Sequence, residues 1–209
     1  FNQNIALGAN TTIDVASGTT LTLSGIVSGG YSVTKSGAGT LIMSANNTFT
    51  LVLNVDAGTV SVTATQFGLV NNSNFGLVIA NGATFSAGGH DIFANNQTQI
   101  ISTVEIQSGG TMTNSGNYFS RLGNLTLSGG TLTSAGGITT NDLSPSVAWT
   151  LSETVTATAD STISGSAEIF NGQGGNGVNF SVSDGATLTV SASLIDGDDS
   201  TWSRTGLAT

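Results

Sequence analysis

The chain has 209 residues, of which only 7% are charged, and its formal net charge is −9. Its three basic side chains, Lys35, Arg121 and Arg204, cannot neutralise several phosphates on one face, which excludes nucleic-acid binding and disfavours anionic membranes. The absence of cysteine excludes disulfides, thiol nucleophiles and cysteine-based zinc sites.

From the N-terminus onward, short segments that alternate apolar and polar residues follow small steps such as Gly-Thr. The first apolar residues after these steps serve as alignment anchors, and they are Ile13, Leu21, Leu41, Val60, Phe85, Met112, Leu132, Ile163 and Leu188. From Leu21 the successive intervals between anchors are 20, 19, 25, 27, 20, 31 and 25, which is an irregular repeat. The alternation predicts strands with apolar side chains on one face and Thr or Ser on the other.

Strands this short are stable only when similar strands from neighbouring repeats cover them. Stacking the repeats about 4.7–4.9 Å apart pairs each backbone and buries each apolar face, which is the architecture of a β-solenoid. The competing all-β arrangement, an antiparallel sandwich, favours two-residue hairpin turns at regular spacings of about 8–12 residues. The sequence has few such turns, so we predict an all-β parallel β-helix that spans 1–209 as a single domain.

The N-terminal part of the chain carries several longer motifs in a fixed order. They are IDVASGTTLTLSG at 13–25, VTKSGAGTL at 33–41, NNTFT at 46–50 and DAGTV at 56–60. Together they resemble the autotransporter-associated β-strand repeat, strongly over 5–64 and only in style over 65–190. The resemblance implies a right-handed β-helix with three sheets, exported and displayed on the bacterial cell surface. By the anchor intervals, its coils are irregular, with lengths that range from 19 to 31.

The last eight residues, 202–209, align with 33–40, so that Arg204 falls on Lys35. We therefore expect the chain to be a fragment of a longer autotransporter or adhesin passenger.

Candidate catalytic residues are few. The single histidine, His90, precedes Asp91, but neighbours along a strand point to opposite faces, and an exposed turn is the simpler interpretation. Glu153 with Asp160 or Glu168 is the least implausible carboxylate pair for glycoside hydrolysis, which needs a separation of roughly 5–10 Å. Without a motif that supports either site, we predict no enzymatic activity and no cofactor.

Two further patterns suggest ligands. Asp196, Asp198 and Asp199 place three carboxylates in four positions, which makes them a weak candidate for calcium, although a solvated acidic turn is the simpler interpretation. Thr-x-Thr pairs suggest ice binding, which uses flat ranks of hydroxyls; the pairs are Thr20/Thr22, Thr131/Thr133 and Thr187/Thr189. Because the coil length varies so widely, the sequence argues against an even threonine plane.

The leading hypothesis is a non-enzymatic extracellular segment, a rigid stalk or adhesin passenger that serves surface display or self-association. Its expected partners are other copies, surface proteins or glycans, with no nucleic acid and no membrane insertion by this segment. The alternative is a carbohydrate-binding or carbohydrate-active β-helix. That alternative would use isolated aromatic residues to line a groove, namely Tyr31, Tyr118, Phe119, Trp149 and Trp202.

Overall fold

The computed structural model describes residues 1–64, 75–89, 92–93, 103–114, 120–134, 149–151, 153–165, 169–171, 178–192, 194–197 and 204–205. Throughout these ranges the chain forms short strands joined by turns, without any helix. The described residues accordingly contain no helical segment with the length and hydropathy of a membrane span.

The strands are two to six residues long and follow one another closely. In chain order the first twelve are β1 (Ile5–Ala6), β2 (Thr11–Asp14), β3 (Thr20–Leu23), β4 (Val27–Gly29), β5 (Val33–Ser36), β6 (Thr40–Met43), β7 (Thr48–Phe49), β8 (Val52–Val55), β9 (Thr59–Val62), β10 (Gly76–Ile79), β11 (Thr84–Ala87) and β12 (Thr103–Gln107). The next twelve are β13 (Thr111–Asn114), β14 (Ser120–Leu122), β15 (Asn124–Ser128), β16 (Thr131–Ser134), β17 (Trp149–Leu151), β18 (Thr154–Ala159), β19 (Ser161–Gly165), β20 (Ile169–Asn171), β21 (Asn179–Val182), β22 (Leu188–Val190), β23 (Leu194–Gly197) and β24 (Arg204–Thr205).

The strands recur around the chain in a cycle of three positions. Sheet I has the order β2-β5-β8-β10-β12-β15-β18-β21, and sheet II has the order β3-β6-β9-β11-β13-β16-β19-β22. The third position holds β1-β4-β7 and, further along, β14-β17-β20-β23-β24. Every strand pair in the described chain is parallel except β23–β24. The predicted parallel three-sheeted β-solenoid is therefore confirmed, while its right-handedness stays a prediction.

The core of the solenoid consists of inward-facing columns, one residue from each coil. In sheet II one such column follows the register Leu21, Leu41, Val60, Phe85, Met112, Leu132 and Ile163. Leu41 and Val60 are completely buried, whereas Leu21 in the first coil is only half-buried. Each such aliphatic side chain contributes roughly 1.5–3 kcal/mol when it leaves water.

The alignment by anchors is correct for the middle of the chain and wrong at both ends. Ile13 lies in sheet I, where it pairs with Lys35, rather than in the column of Leu21. At the other end Leu188 pairs with Ser161, and Val190 is the residue opposite Ile163. Both errors have the same cause, since an alternating segment in any sheet of a solenoid shows the same period of two.

The turns from sheet I to sheet II are short and use glycine. Only one to five residues separate the two strands of each coil, such as the three between β5 and β6. Gly37 and Gly58 occupy this turn in successive coils with φ of 73° and 66°, a conformation that side chains with a Cβ rarely adopt. This turn fixes the position of sheet II relative to sheet I from coil to coil.

Candidate functional surface

The outward face of sheet II carries an unbroken column of threonines. Strand register places one threonine of every coil in the same line: Thr20, Thr40, Thr59, Thr84, Thr111, Thr131, Thr162 and Thr189. We call these eight residues the threonine column. Thr20 and Thr189 are exposed, and the six between them are half-buried by their neighbours in the column.

A second column runs parallel to the first, two residues further along each strand. It consists of Thr22, Ile42, Ser61, Ser86, Thr113, Thr133 and Ser164. The two columns together form what we call the hydroxyl face. Its repeat is about 4.7–4.9 Å along the solenoid and about 6.6 Å across it, twice the rise per residue of a strand. Ile42 is the one member without a hydroxyl group.

The sequence-based argument against an even threonine plane is wrong, because the variation in coil length lies elsewhere. The connections from sheet II to the next strand of sheet I differ widely: the shortest joins Met43 to Val52, and the longest joins Ser134 to Thr154. The turns from sheet I to sheet II are short in every coil. All the long insertions therefore lie in the connections that follow sheet II, outside its strands. None of the seven strand pairs of sheet II shifts register, whereas sheet I has one irregularity, between β15 and β18.

The hydroxyls of the threonine column remain available for external ligands. None of the eight donates or accepts a side-chain hydrogen bond with another atom of the described chain. In the second column, by contrast, Ser164 Oγ donates to Thr133 Oγ1 at 3.3 Å. The sheet holds the backbones of the six inner threonines on both sides and those of Thr20 and Thr189 on one side, so the methyl and hydroxyl groups project from a rigid base.

The hydroxyl face is also free of charge, although the molecule is strongly acidic. The acidic side chains that the structure describes all lie on sheet I or in its connections: Asp14, Asp56, Glu105, Glu153, Asp160 and Asp184. Asp14 and Glu105 point outward from sheet I. The two columns of the hydroxyl face thus carry no charged side chain, although Asp56, Asp160 and Asp184 lie in the turns that lead into its strands.

Lys35, one of the three basic side chains of the sequence, occupies an inward position. It lies in the inward column of sheet I between Ile13 and Val55, and its side chain is completely buried. The Lys35 Nζ donates to the backbone carbonyls of Ser36 at 2.8 Å, Gly37 at 2.6 Å and Ala57 at 3.1 Å. It therefore joins the turns of two successive coils.

Burial lowers the pKa of the Lys35 ammonium below its ordinary value of 10.5, and the attraction of Asp14 opposes part of that decrease. Asp14 itself lies one coil away and accepts a hydrogen bond from Ser36 Oγ at 2.8 Å. The signal in the sequence was the alternation of Val33 and Lys35, which places lysine at an apolar position. Because Lys35 is buried, we assign it a structural role in the turns between sheet I and sheet II rather than a role in ligand binding.

Of the two candidate carboxylate pairs, Glu153 with Asp160 does not form a glycosidase dyad. Glu153 directly precedes β18 and Asp160 directly follows it, so their backbones are about 23 Å apart at roughly 3.3 Å per residue. Asp160 Oδ1 instead accepts a hydrogen bond from the backbone N–H of Thr187 at 2.8 Å, which ties one turn to the next coil. Glu168, like His90 and Asp91, lies outside the described residues.

The calcium candidate lies mostly outside the described residues. Asp198 and Asp199 belong to that part of the chain, and of Asp196 only the backbone in β23 is described. No group of three or more acidic or histidine side chains is close enough to hold a metal ion among the residues that the structure covers.

Of the five aromatic residues proposed to line a glycan groove, the structure describes Trp149 and Tyr31. Trp149 is buried, stacks on Phe93 with ring centroids 6.4 Å apart, and donates from Nε1 to the Thr133 carbonyl at 2.9 Å. Tyr31 is 38% exposed but stands apart on a turn. The other three aromatic candidates, Tyr118, Phe119 and Trp202, lie outside the described residues.

The comparisons with known protein families and with curated proteins do not assign a family or a function to this chain. Neither the models of known protein families nor the curated proteins searched contain a match to the chain.

Proposed function

We propose that the chain is a non-enzymatic structural segment of an extracellular bacterial surface protein, a rigid stalk that serves display or self-association. The observation that carries this proposal is the continuity of the two main sheets, each with eight strands in succession. Seven steps of about 4.8 Å give roughly 34 Å of axial length supported by backbone hydrogen bonds. Such a rod supplies reach and stiffness, and the sequence resemblance supports an address at the cell surface.

Self-association is supported by the apolar surface at the last coil. Phe180 and Val182 pair with Val155 and Ala157, both buried, yet they are 39% and 46% exposed. Val190 in sheet II is also 36% exposed. These side chains occupy inward positions without full cover, so burying them against another copy, or against a further coil of the same protein, would stabilise the contact.

Sedimentation velocity over a range of concentrations tests the self-association. We expect the wild-type chain to assemble as the concentration rises, and Val182→Asp to weaken assembly because it places a charge at the contact. Ser181→Asp is the matched control, since Ser181 is exposed on the opposite side of the same strand. A chain that remains monomeric at every concentration would remove self-association from the proposal.

A glycan array separates the structural role from the carbohydrate alternative. We expect no glycan binding or turnover by the wild-type chain. Binding that Glu153→Gln abolishes would instead favour the carbohydrate-active alternative. Labelling of intact cells of the source organism with an antibody against the chain tests the surface location directly.

A further inference from the structure

We propose that the hydroxyl face binds ice. The ligand is the surface of an ice crystal, and the threonine column with its neighbouring column is the contact. This activity goes beyond a stalk and does not depend on where the protein is displayed. It rests on the register of sheet II, on the free hydroxyls of the threonine column and on the absence of charge.

The geometry of the hydroxyl face suits a crystal surface. Ice presents water oxygens at fixed spacings in two dimensions, so a complementary protein surface must repeat in two dimensions as well. The hydroxyl face repeats at about 4.8 Å along the solenoid and about 6.6 Å across it, so it offers a regular two-dimensional array to such a lattice. No register shift interrupts the threonine column from Thr20 to Thr189.

The side-chain chemistry of threonine also suits an ice surface. Each threonine presents a hydroxyl, which can donate and accept a hydrogen bond, beside a methyl group that water can only surround. In the threonine column these hydroxyls have no partner within the described chain, so they can be incorporated into an ordered water layer. A bonded network inside the protein would have consumed that capacity.

Binding to ice requires many weak contacts that form at the same time. A single hydroxyl cannot distinguish ice from liquid water, because both offer the same hydrogen bonds. Eight threonines held on one rigid sheet lose little conformational freedom when they engage together, and their contacts therefore add up. The β-branched threonine contributes to this rigidity, because its χ1 is restricted.

The hydroxyl face suits ice better than it suits other flat partners. Binding to a polysaccharide commonly uses aromatic side chains, and both columns are without any. Packing against a second copy would bury hydroxyls with little apolar surface in return, which costs free energy unless each finds a partner. None of the acidic side chains described above belongs to either column, although three lie in the adjoining turns, so the contact surface itself is neutral.

The test uses the full chain and compares one substitution on each face of the same coil. Thr131 belongs to the threonine column in β16, and Thr126 is outward-facing and equally half-buried on sheet I in β15. Thermal hysteresis and inhibition of ice recrystallisation are measured for the wild type, Thr131→Tyr and Thr126→Tyr. Circular dichroism melting shows whether each variant is folded.

We expect the wild type to shape ice crystals and to show thermal hysteresis. Thr131→Tyr should lose most of this activity, because a bulky ring holds the face away from a flat crystal, whereas Thr126→Tyr should retain it. Thr84→Tyr serves as a second variant on the threonine column if Thr131→Tyr fails to fold. A folded wild type without any effect on ice would overturn the proposal, and so would equal losses in the two folded variants. Adsorption of the face to crystalline polysaccharide without an ice effect would also overturn it.

Discussion

Lys35 shows that the role of a residue in this fold depends on its register as much as on its chemistry. Its side chain stands in a column otherwise made of Ile13, Val55 and further apolar residues, yet it carries an ammonium group. The three backbone carbonyls around Nζ compensate for the water that the ammonium loses. The residue is therefore a hydrogen-bond donor to two turns rather than a surface charge.

Replacing Lys35 with methionine tests this assignment. Lys35→Met keeps most of the buried apolar volume but removes three hydrogen bonds, although the Ser36 carbonyl still accepts from the Val15 N–H, so we expect the free energy of unfolding to fall by about 2–4 kcal/mol. Urea denaturation of the two proteins at neutral pH measures the difference. Equal stability would mean that the three hydrogen bonds contribute nothing.

The difference in free energy of unfolding between the wild type and Lys35→Met should also depend on pH. Because the pKa of Lys35 is lower in the folded chain than its ordinary value of 10.5, the unfolded chain binds more protons between those two values. The free energy of unfolding of the wild type should therefore rise with pH in that window, relative to Lys35→Met. A difference that falls as the pH approaches 10.5 would contradict the direction of the shift.

The inward and outward faces of the strands of sheet II give a second prediction at the level of residues. Leu41→Asp places a carboxylate without a partner in the core, and we expect it to cost at least about 3 kcal/mol and to unfold the N-terminal coils. Thr22→Asp changes an outward position of the neighbouring strand and should be tolerated. Thermal denaturation distinguishes them, and similar losses of stability would mean that the strand faces are assigned wrongly.

At the level of elements, the turn from sheet I to sheet II decides how the coils stack. Gly37 and Gly82 occupy this turn in different coils with nearly equal φ, 73° and 72°. A Cβ on Gly37 would lie against the carbonyl oxygen of Val15 in the preceding coil, whereas a Cβ on Gly82 would meet nothing within 4 Å. The two positions therefore differ in packing while their backbone strain is the same.

Alanine substitutions separate these two contributions. Gly82→Ala should cost about 1 kcal/mol from the positive φ alone, and Gly37→Ala should cost at least about 1 kcal/mol more because the coils must move apart. Chemical denaturation of both variants measures the gap. If Gly37→Ala were no worse than Gly82→Ala, the coils would not be packed as closely as the structure places them.

The element level also explains what the sequence could and could not predict. The Gly-Thr steps and the alternation that follows them identified the strands of sheet II from Leu21 to Ile163. The same segments also contain the threonine column, because a threonine directly precedes each of those anchors. Coil length was misleading, because spacing along the chain does not reveal which of the three sheets receives the insertions. The burial of Lys35 could not be predicted from its type, since lysine is almost always exposed.

At the level of the whole molecule, the stacking of coils gives the faces of the solenoid different surface chemistry. The described acidic residues lie on sheet I and in the connections, the long insertions leave from the side between sheet II and sheet I, and sheet II keeps a uniform outer surface. A solenoid permits this arrangement because each coil contacts only its neighbours, so one face can vary while another stays constant. The two continuous sheets and the hydroxyl face are thus two consequences of one register.

Distances between spin labels along the threonine column test that register most directly. The chain has no cysteine, so pairs can be introduced at will, joining Thr20→Cys to Thr111→Cys, Thr131→Cys or Thr162→Cys. Double electron–electron resonance should give about 19, 24 and 29 Å, for four, five and six coils at roughly 4.8 Å each. The two increments should be equal, although the sequence number increases by 20 in the first step and by 31 in the second. Increments that follow the sequence numbers, or a distance that fails to grow, would contradict a solenoid with sheet II in continuous register.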